Sequence, residues 1–189
     1  MSWVDQKEKY EAVARQIDPS VRLTTKDGWI WRAIAWLLFL FSFGQFKRAT
    51  FLTRYATTLG PLQAYPRGWL WLWDGIIVHE SQHTAQARKF GLGLGPWAGL
   101  PLMLLVYGIL FFPVGLAYFR YRLELDAERR SWDYLLENGM ADEEYVYRNA
   151  ERLAKNLSGP AYLWSWFRGS VRKGCLKVAE KVVEKHFRP

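Results

Sequence analysis

The chain reads as an α+β protein, mostly helical, built from a pair of helices that can share one site, a small β-hairpin or sheet, and an apolar helical hairpin. Three observations predict this. Residues 74–91 carry helix start and stop signals around a run with polar groups on a common face, and residues 120–137 form a second long helical segment of mixed charge. Residues 50–66 are rich in Thr and aromatic side chains and are broken by Gly60-Pro61, a turn signal between two candidate strands. The thirty residues between Lys89 and Arg120 carry no charge and are interrupted repeatedly by Gly and Pro.

The first element is a short helix over 2–17, with Trp3, Tyr10, Val13, Ala14 and Ile17 near one stripe and Asp18-Pro19 as its breaker. Residues 20–28 are polar and end in the turn Lys26-Asp27-Gly28. Residues 29–46 are strongly apolar, but only fourteen of them, Ala33 to Phe46, run without a charge. A bilayer span needs about 20 residues, so this segment is expected to be a buried or interfacial helix, with partial insertion as the alternative. The hairpin expected over 50–66 has Phe51, Thr53, Tyr55, Thr57 and Thr58 on its first arm and Leu62 to Tyr65 on its second. An extended peptide could add to it as another strand; an ordinary structural hairpin is the other reading. Residues 66–73 alternate Trp69, Trp71 and Trp73 with aliphatic groups, which suggests a strand or an extended entry to the next helix.

Asp74 is expected to cap the helix over 74–91 and Gly91 to end it in a left-handed turn. Within it lies His79-Glu80-Ser81-Gln82-His83, an H-E-x-x-H pattern that uses two of the three histidines in the chain. Four residues on a helix rise roughly 6 Å, so both imidazoles face one way and can offer nitrogens to one ion. Glu80 lies about 100° further round, placed to reach a water on that ion without binding the ion itself. This is zinc hydrolase geometry; two half-buried structural histidines are the alternative.

A catalytic zinc takes three protein ligands and a water. The position six after His83 is Lys89, and His186 lies in a basic tail. The third ligand is therefore sought on the helix over 120–137, where Glu124 and Glu128 are four apart with Ala127 between them. Glu124 is assigned to the metal, and Glu128 to the free ring N–H of a ligand histidine, where it would fix the tautomer. The competing reading is a solvated acidic face paired with Arg129 and Arg130. The oxyanion needs a further donor, for which Tyr118, Tyr121 and Tyr134 are the candidates.

His79-Glu80-x-x-His83 followed by Glu124-x-x-Ala127-Glu128 resembles the gluzincin metalloproteases over about positions 50–137. The resemblance implies a zincin-like pair of active-site helices with an edge strand before the first, one Zn2+ per chain, and endopeptidase activity. The family more often has Asp where this chain has Glu128. Thr84-Ala85-Gln86 is also similar to small H-E-x-x-H-x-x-Q proteins of bacterial and phage genomes. On this basis the chain divides into an N-terminal helix and linker (1–28), a zincin-like metallopeptidase domain (29–157), and an aromatic loop with a basic amphipathic helix (158–189).

One membrane crossing by 90–119 would put His79 and Glu124 on opposite sides of a layer about 30 Å thick, whereas shared ligation needs them within about 5 Å. Thirty residues are too few for two full spans. The run is expected to fold back as a buried or shallowly inserted hairpin, with a site inside the bilayer as the alternative. Downstream, Asn138-Gly139 ends the Glu124 helix, and Asp142-Glu143-Glu144 opens another that closes at Ser158-Gly159-Pro160. Residues 161–167 are an aromatic cluster in an expected loop. Over 168–188, Lys173, Lys177, Lys181 and Lys185 form one stripe, either an arm for anionic lipid or an acidic partner or a solvated lysine face.

The composition narrows the function classes. One cysteine, Cys175, excludes intrachain disulfides and thiolate zinc clusters. A net charge of +8 with no nucleic-acid motif favours an anionic membrane surface or acidic protein over nucleic acid. Eleven Trp among 189 residues suit a membrane interface or a large partner. The chain start reads as no secretory signal, so a cytoplasmic or membrane-associated setting is expected. Beside a zinc peptidase acting through Glu80, two alternatives stand. One is a structural or assembly protein, for example of a phage particle, that keeps a zincin fold. The other is a membrane-associated quality-control protease.

Overall fold

The computed structural model describes residues 2–41, 44, 47–70, 72–108, 117–158 and 168–188. It is a mostly helical α+β fold. Its elements are a 3-10 turn at Trp3–Gln6, helices α1 (Lys7–Ile17), α2 (Trp29–Phe41), α3 (Arg48–Arg54), α4 (Asp74–Phe90), α5 (Pro96–Gly108), α6 (Ala117–Glu137), α7 (Glu143–Leu157) and α8 (Arg168–Phe187), and strands β1 (Arg22–Thr25), β2 (Thr57–Leu59) and β3 (Leu62–Tyr65). The chain forms two units, Met1–Ala85 and Gln86–Pro189, and the division falls within α4.

In the first unit α1 ends where Asp18-Pro19 forbids another turn. The Asp18 side chain accepts from the Ser20 backbone N–H at 2.9 Å and from its hydroxyl at 2.6 Å, which fixes the exit. Trp3, Tyr10, Val13 and Ala14 are buried. The Trp3 indole N–H donates to the Pro66 carbonyl at 3.0 Å and the Tyr10 hydroxyl to the Leu72 carbonyl at 2.8 Å. The first 28 residues thus contribute to this core.

The sheet has the order β1-β3-β2, with β1 parallel and β2 antiparallel to β3. The predicted hairpin is present over Thr57–Tyr65 with its turn at Gly60-Pro61, and Gly60 takes φ +58°. Two expectations change. Residues 48–54 form α3 rather than the start of a strand. The Thr53 hydroxyl donates to the Ala49 carbonyl one turn back at 2.7 Å, so this β-branched residue is satisfied inside a helix. Phe51 and Leu52 pack on α2 with Trp31, Ala35, Ile34 and Leu38. The polar segment 20–28 contains β1, registered Arg22 to Leu62 through Thr25 to Tyr65. Residues 66–70 do not form a strand, so this segment is a non-strand entry to α4, and Trp71 lies outside the described residues.

In the second unit α6, α7 and α8 enclose a core of Leu125, Trp132, Val146, Ala150, Leu153, Leu157, Val171, Cys175, Ala179, Val182 and Val183. Asp142 caps α7 by accepting from the Tyr145 N–H at 2.7 Å, and Gly139 takes φ +64° just after α6, as the stop signals require. The expectation for Gly91 is corrected. The left-handed residues after α4 are Leu92 (φ 51°) and Gly93 (φ 84°). Gly91 serves close approach instead, since a Cβ there would lie 2.7 Å from the Gly95 carbonyl oxygen and from the Gly99 nitrogen.

The apolar run contributes α5. No helix among the described residues is long and apolar enough to cross a membrane. Residues 109–116, 161–167 and the end of the 29–46 segment lie outside the described residues. Val171, Cys175, Val182 and Val183 of α8 are buried and Val178 is partly buried against them, so its apolar stripe belongs to the core, while Lys173, Lys177 and Lys181 are exposed.

Candidate metal centre

The face of α4 that carries Ile77, Ser81 and Thr84 is buried and bonded to the hairpin. The Ser81 hydroxyl donates to the Ile77 carbonyl at 2.6 Å and accepts from the Gln63 amide at 3.0 Å. Gln63 in turn accepts from the Tyr65 hydroxyl at 3.0 Å, and the Thr84 hydroxyl donates to the Gly60 carbonyl at 2.9 Å. These bonds fix the rotation of α4 about its axis. With 3.6 residues per turn, His79 and His83 are then turned to the opposite side.

There the two imidazole centroids lie 5.0 Å apart at 83°. His83 is only 6% exposed and His79 is half-buried. Glu80 is half-buried and is held by β2: the Thr58 hydroxyl lies 2.6 Å from Glu80 Oε2 and 3.2 Å from the Glu80 carbonyl oxygen. A carboxylate fixed beside two imidazoles one turn apart is a donor set that fits zinc and a base for its water.

Lys26 is a residue that sequence reasoning placed only in a turn. It is 3% exposed. Its ammonium donates to the Thr57 hydroxyl at 2.6 Å and the Phe51 carbonyl at 3.0 Å, and stands 3.7 Å from the Phe51 ring centroid. Burial lowers its pKa to about 8, with the negative charge of Glu80 opposing the shift. Tyr65 is pushed well above its ordinary range by burial and, secondarily, by Glu80, so its hydroxyl stays a donor. No local pattern announces Lys26, because its neighbours come from α3 and β2.

The second unit carries the remaining candidates. Glu124 is 3% exposed on α6. Gln86, the first residue of this unit and three beyond His83 on the same helix, donates its amide to the Leu123 carbonyl at 2.9 Å and to Asp126 Oδ2 at 3.0 Å. Its place in H-E-x-x-H-x-x-Q was visible in the sequence, but its partners were not. Glu128 lies close enough to raise the pKa of both Tyr145 and Cys175, after the larger effect of burial on each; both stand at about 12.

The three tyrosines differ. Tyr121 is buried with its hydroxyl against Gly174 of α8, and burial with the neighbouring Cys175 pushes it to about 12. Tyr134 is buried, and Tyr118 is exposed. Asp133, Glu137 and His186 also place ligand atoms within 4.8 Å of one another. Asp133 already accepts from Lys185 Nζ at 2.9 Å and lies 3.0 Å from His186 Nε2, with Arg129 at 3.4 Å. Its burial raises the carboxyl, and the hydrogen bonds from Lys185 and His186 with the charges of Lys185 and Arg129 more than offset that, so its pKa is lowered. An ammonium in that position marks an ion-pair cluster.

Comparison with known proteins finds no matching family model, no similar curated protein and no similar solved structure.

Proposed function

We propose that the protein is a zinc-dependent metallopeptidase in which His79, His83 and Glu124 hold one Zn2+ and Glu80 is the general base. The observation that carries this reading is the pair of imidazoles one turn apart with the intervening glutamate held by Thr58. Support for Glu124 comes from Gln86, which continues the histidine face of α4 and is bonded to residues on both sides of Glu124 in sequence, Leu123 and Asp126.

Bound there, zinc would acidify a water and polarise the scissile carbonyl. Glu80 takes the proton of the attacking water and passes it to the leaving amine. Thr58 keeps that carboxylate in one orientation while it does so. Of Tyr118, Tyr121 and Tyr134, Tyr118 alone is exposed enough to reach a substrate from its own position. The buried Asp133 cluster is the wrong chemistry for a second ion, because it is already neutralised.

The test is Glu80→Gln. It is expected to retain zinc and to lose chelator-sensitive hydrolysis of an unstructured protein substrate such as casein; hydrolysis equal to the parent would exclude this mechanism. The second reading, an assembly protein with a structural zinc, draws on the exposed Trp29, Trp36 and Trp97. It predicts zinc without hydrolysis in the parent itself.

A further inference from the structure

The outward face of α2 breaks the usual rule for a surface helix, whose solvent side is polar. At about 100° per residue, Trp29, Ile30, Ala33, Trp36, Leu37 and Leu40 fall within an arc of roughly 120°. All six are exposed, Trp29 by 77% and Leu40 by 60%. The opposite side, with Trp31 and Ala35, is buried against Phe51 and Ala64. The helix is therefore apolar on both its core and its solvent side, and neither core packing nor solubility requires the second.

Its charged border has one sign. Arg32 is exposed at one edge of the arc. The Arg48 guanidinium stands 3.7 Å from the centroid of the Trp36 ring and 5.8 Å from that of Phe39. Arg32, Lys47 and Arg48 line a shallow cleft of 490 Å³ beside α2, and among the described residues no acidic one lines it. The acid just before the helix, Asp27, faces Arg67 at 3.5 Å.

An apolar arc bordered by cations, with indoles on it, has the chemistry of the layer between lipid tails and anionic phosphate headgroups. Thirteen residues extend about 20 Å at 1.5 Å each, short of the roughly 30 Å hydrocarbon core, so the helix fits in the plane of that layer and not across it. We propose that α2 is a membrane-docking helix: it lies on an anionic phospholipid surface with Trp29, Ile30, Trp36, Leu37 and Leu40 inserted and with Arg32, Lys47 and Arg48 at the phosphates. The occupant is a bilayer because one face asks for both an extended apolar phase and phosphate, and the Arg48–Trp36 stack puts the cation at the border of the inserted ring. This stands independently of the zinc reading.

The experiment is flotation of the full chain with vesicles of phosphatidylcholine and phosphatidylglycerol (3:1), against phosphatidylcholine alone. The parent is expected to float with the anionic vesicles and to be released by salt. Leu37→Glu/Leu40→Glu is expected to lower the partition coefficient at least tenfold, and Arg48→Gln severalfold with a weaker salt dependence. These side chains are exposed, so circular dichroism should match the parent. Lys173→Gln/Lys177→Gln/Lys181→Gln, on the exposed stripe of α8, is expected to bind within about twofold of the parent. No flotation of the parent, equal flotation of Leu37→Glu/Leu40→Glu, or loss confined to the α8 variant would each overturn the proposal. So would a Leu37→Glu/Leu40→Glu variant that changes only from dimer to monomer in sedimentation, which would assign the face to a second copy.

Discussion

Replacing Thr58 by Val removes one hydroxyl and keeps the shape of the side chain. The bond it deletes is 2.6 Å long and ends on a carboxylate oxygen, Glu80 Oε2. Hydrogen bonds to charged groups contribute about 1.5–3 kcal/mol. At ~1.36 kcal/mol per factor of ten, a bond whose whole role is to orient the base corresponds to a fall of roughly 10- to 100-fold in kcat. KM is expected to stay within about twofold, because the bond is made to the base and not to substrate. Zinc content should be unchanged, since neither imidazole is touched. Thr58→Ser keeps the hydroxyl and should recover most of the rate, which a purely structural defect would not allow. The assay is steady-state hydrolysis of a quenched-fluorescent peptide, with metal content measured on the same samples. Thr58→Val as active as the parent beside an inactive Glu80→Gln would refute the claim that this strand orients the base.

Two further outcomes rest on structure alone. In Gly99→Ala the new Cβ would run into the Ala87 carbonyl and the Gly91 nitrogen, both backbone atoms that cannot swing aside; overpacking of this kind costs about 1–3 kcal/mol or more, and a urea midpoint equal to the parent's would show that α4 and α5 are not in contact there. Lys26 titrates near about 8 in the fold and near 10.5 when free, so between those values the unfolded chain holds more protons and stability rises with pH. The full shift is an upper bound of about 3 kcal/mol, reduced to ~1–2 kcal/mol by solvent screening. Lys26→Met should flatten the rise by that amount in urea unfolding between pH 7.5 and 10.5, and an unchanged slope would remove Lys26 as its cause.

The features that were legible in the sequence are those set by neighbours in the chain. The 3.6-residue period of α4, the stop signal of α6 and the cap of α7 are local, and so is the Gly60-Pro61 turn. What was not legible depends on residues far apart. β1 is four residues long and takes its meaning from a parallel partner about forty positions on, a pairing no local pattern reports. Phe51 and Thr53 look like strand residues until α2 supplies a face for a helix to cover. Gly91 was read as a turn glycine because its sequence position suits one, whereas its requirement is the nearness of Gly95 and Gly99. In the candidate site the motif itself was plain. The strand residue that holds Glu80 was not, since Thr58 belonged to an expected strand with no stated target, and the buried Lys26 was read only as part of a turn. The lysine stripe of α8 was visible, but the burial of its opposite side needed α6 and α7.

Metal analysis of the purified full chain tests the central claim most directly. The account predicts about one zinc per chain, retained in Glu80→Gln and lost in His79→Ala, in His83→Ala and in Glu124→Ala. A parent that carries no zinc when supplied with it, or a Glu124→Ala variant that binds zinc as tightly as the parent, would contradict it.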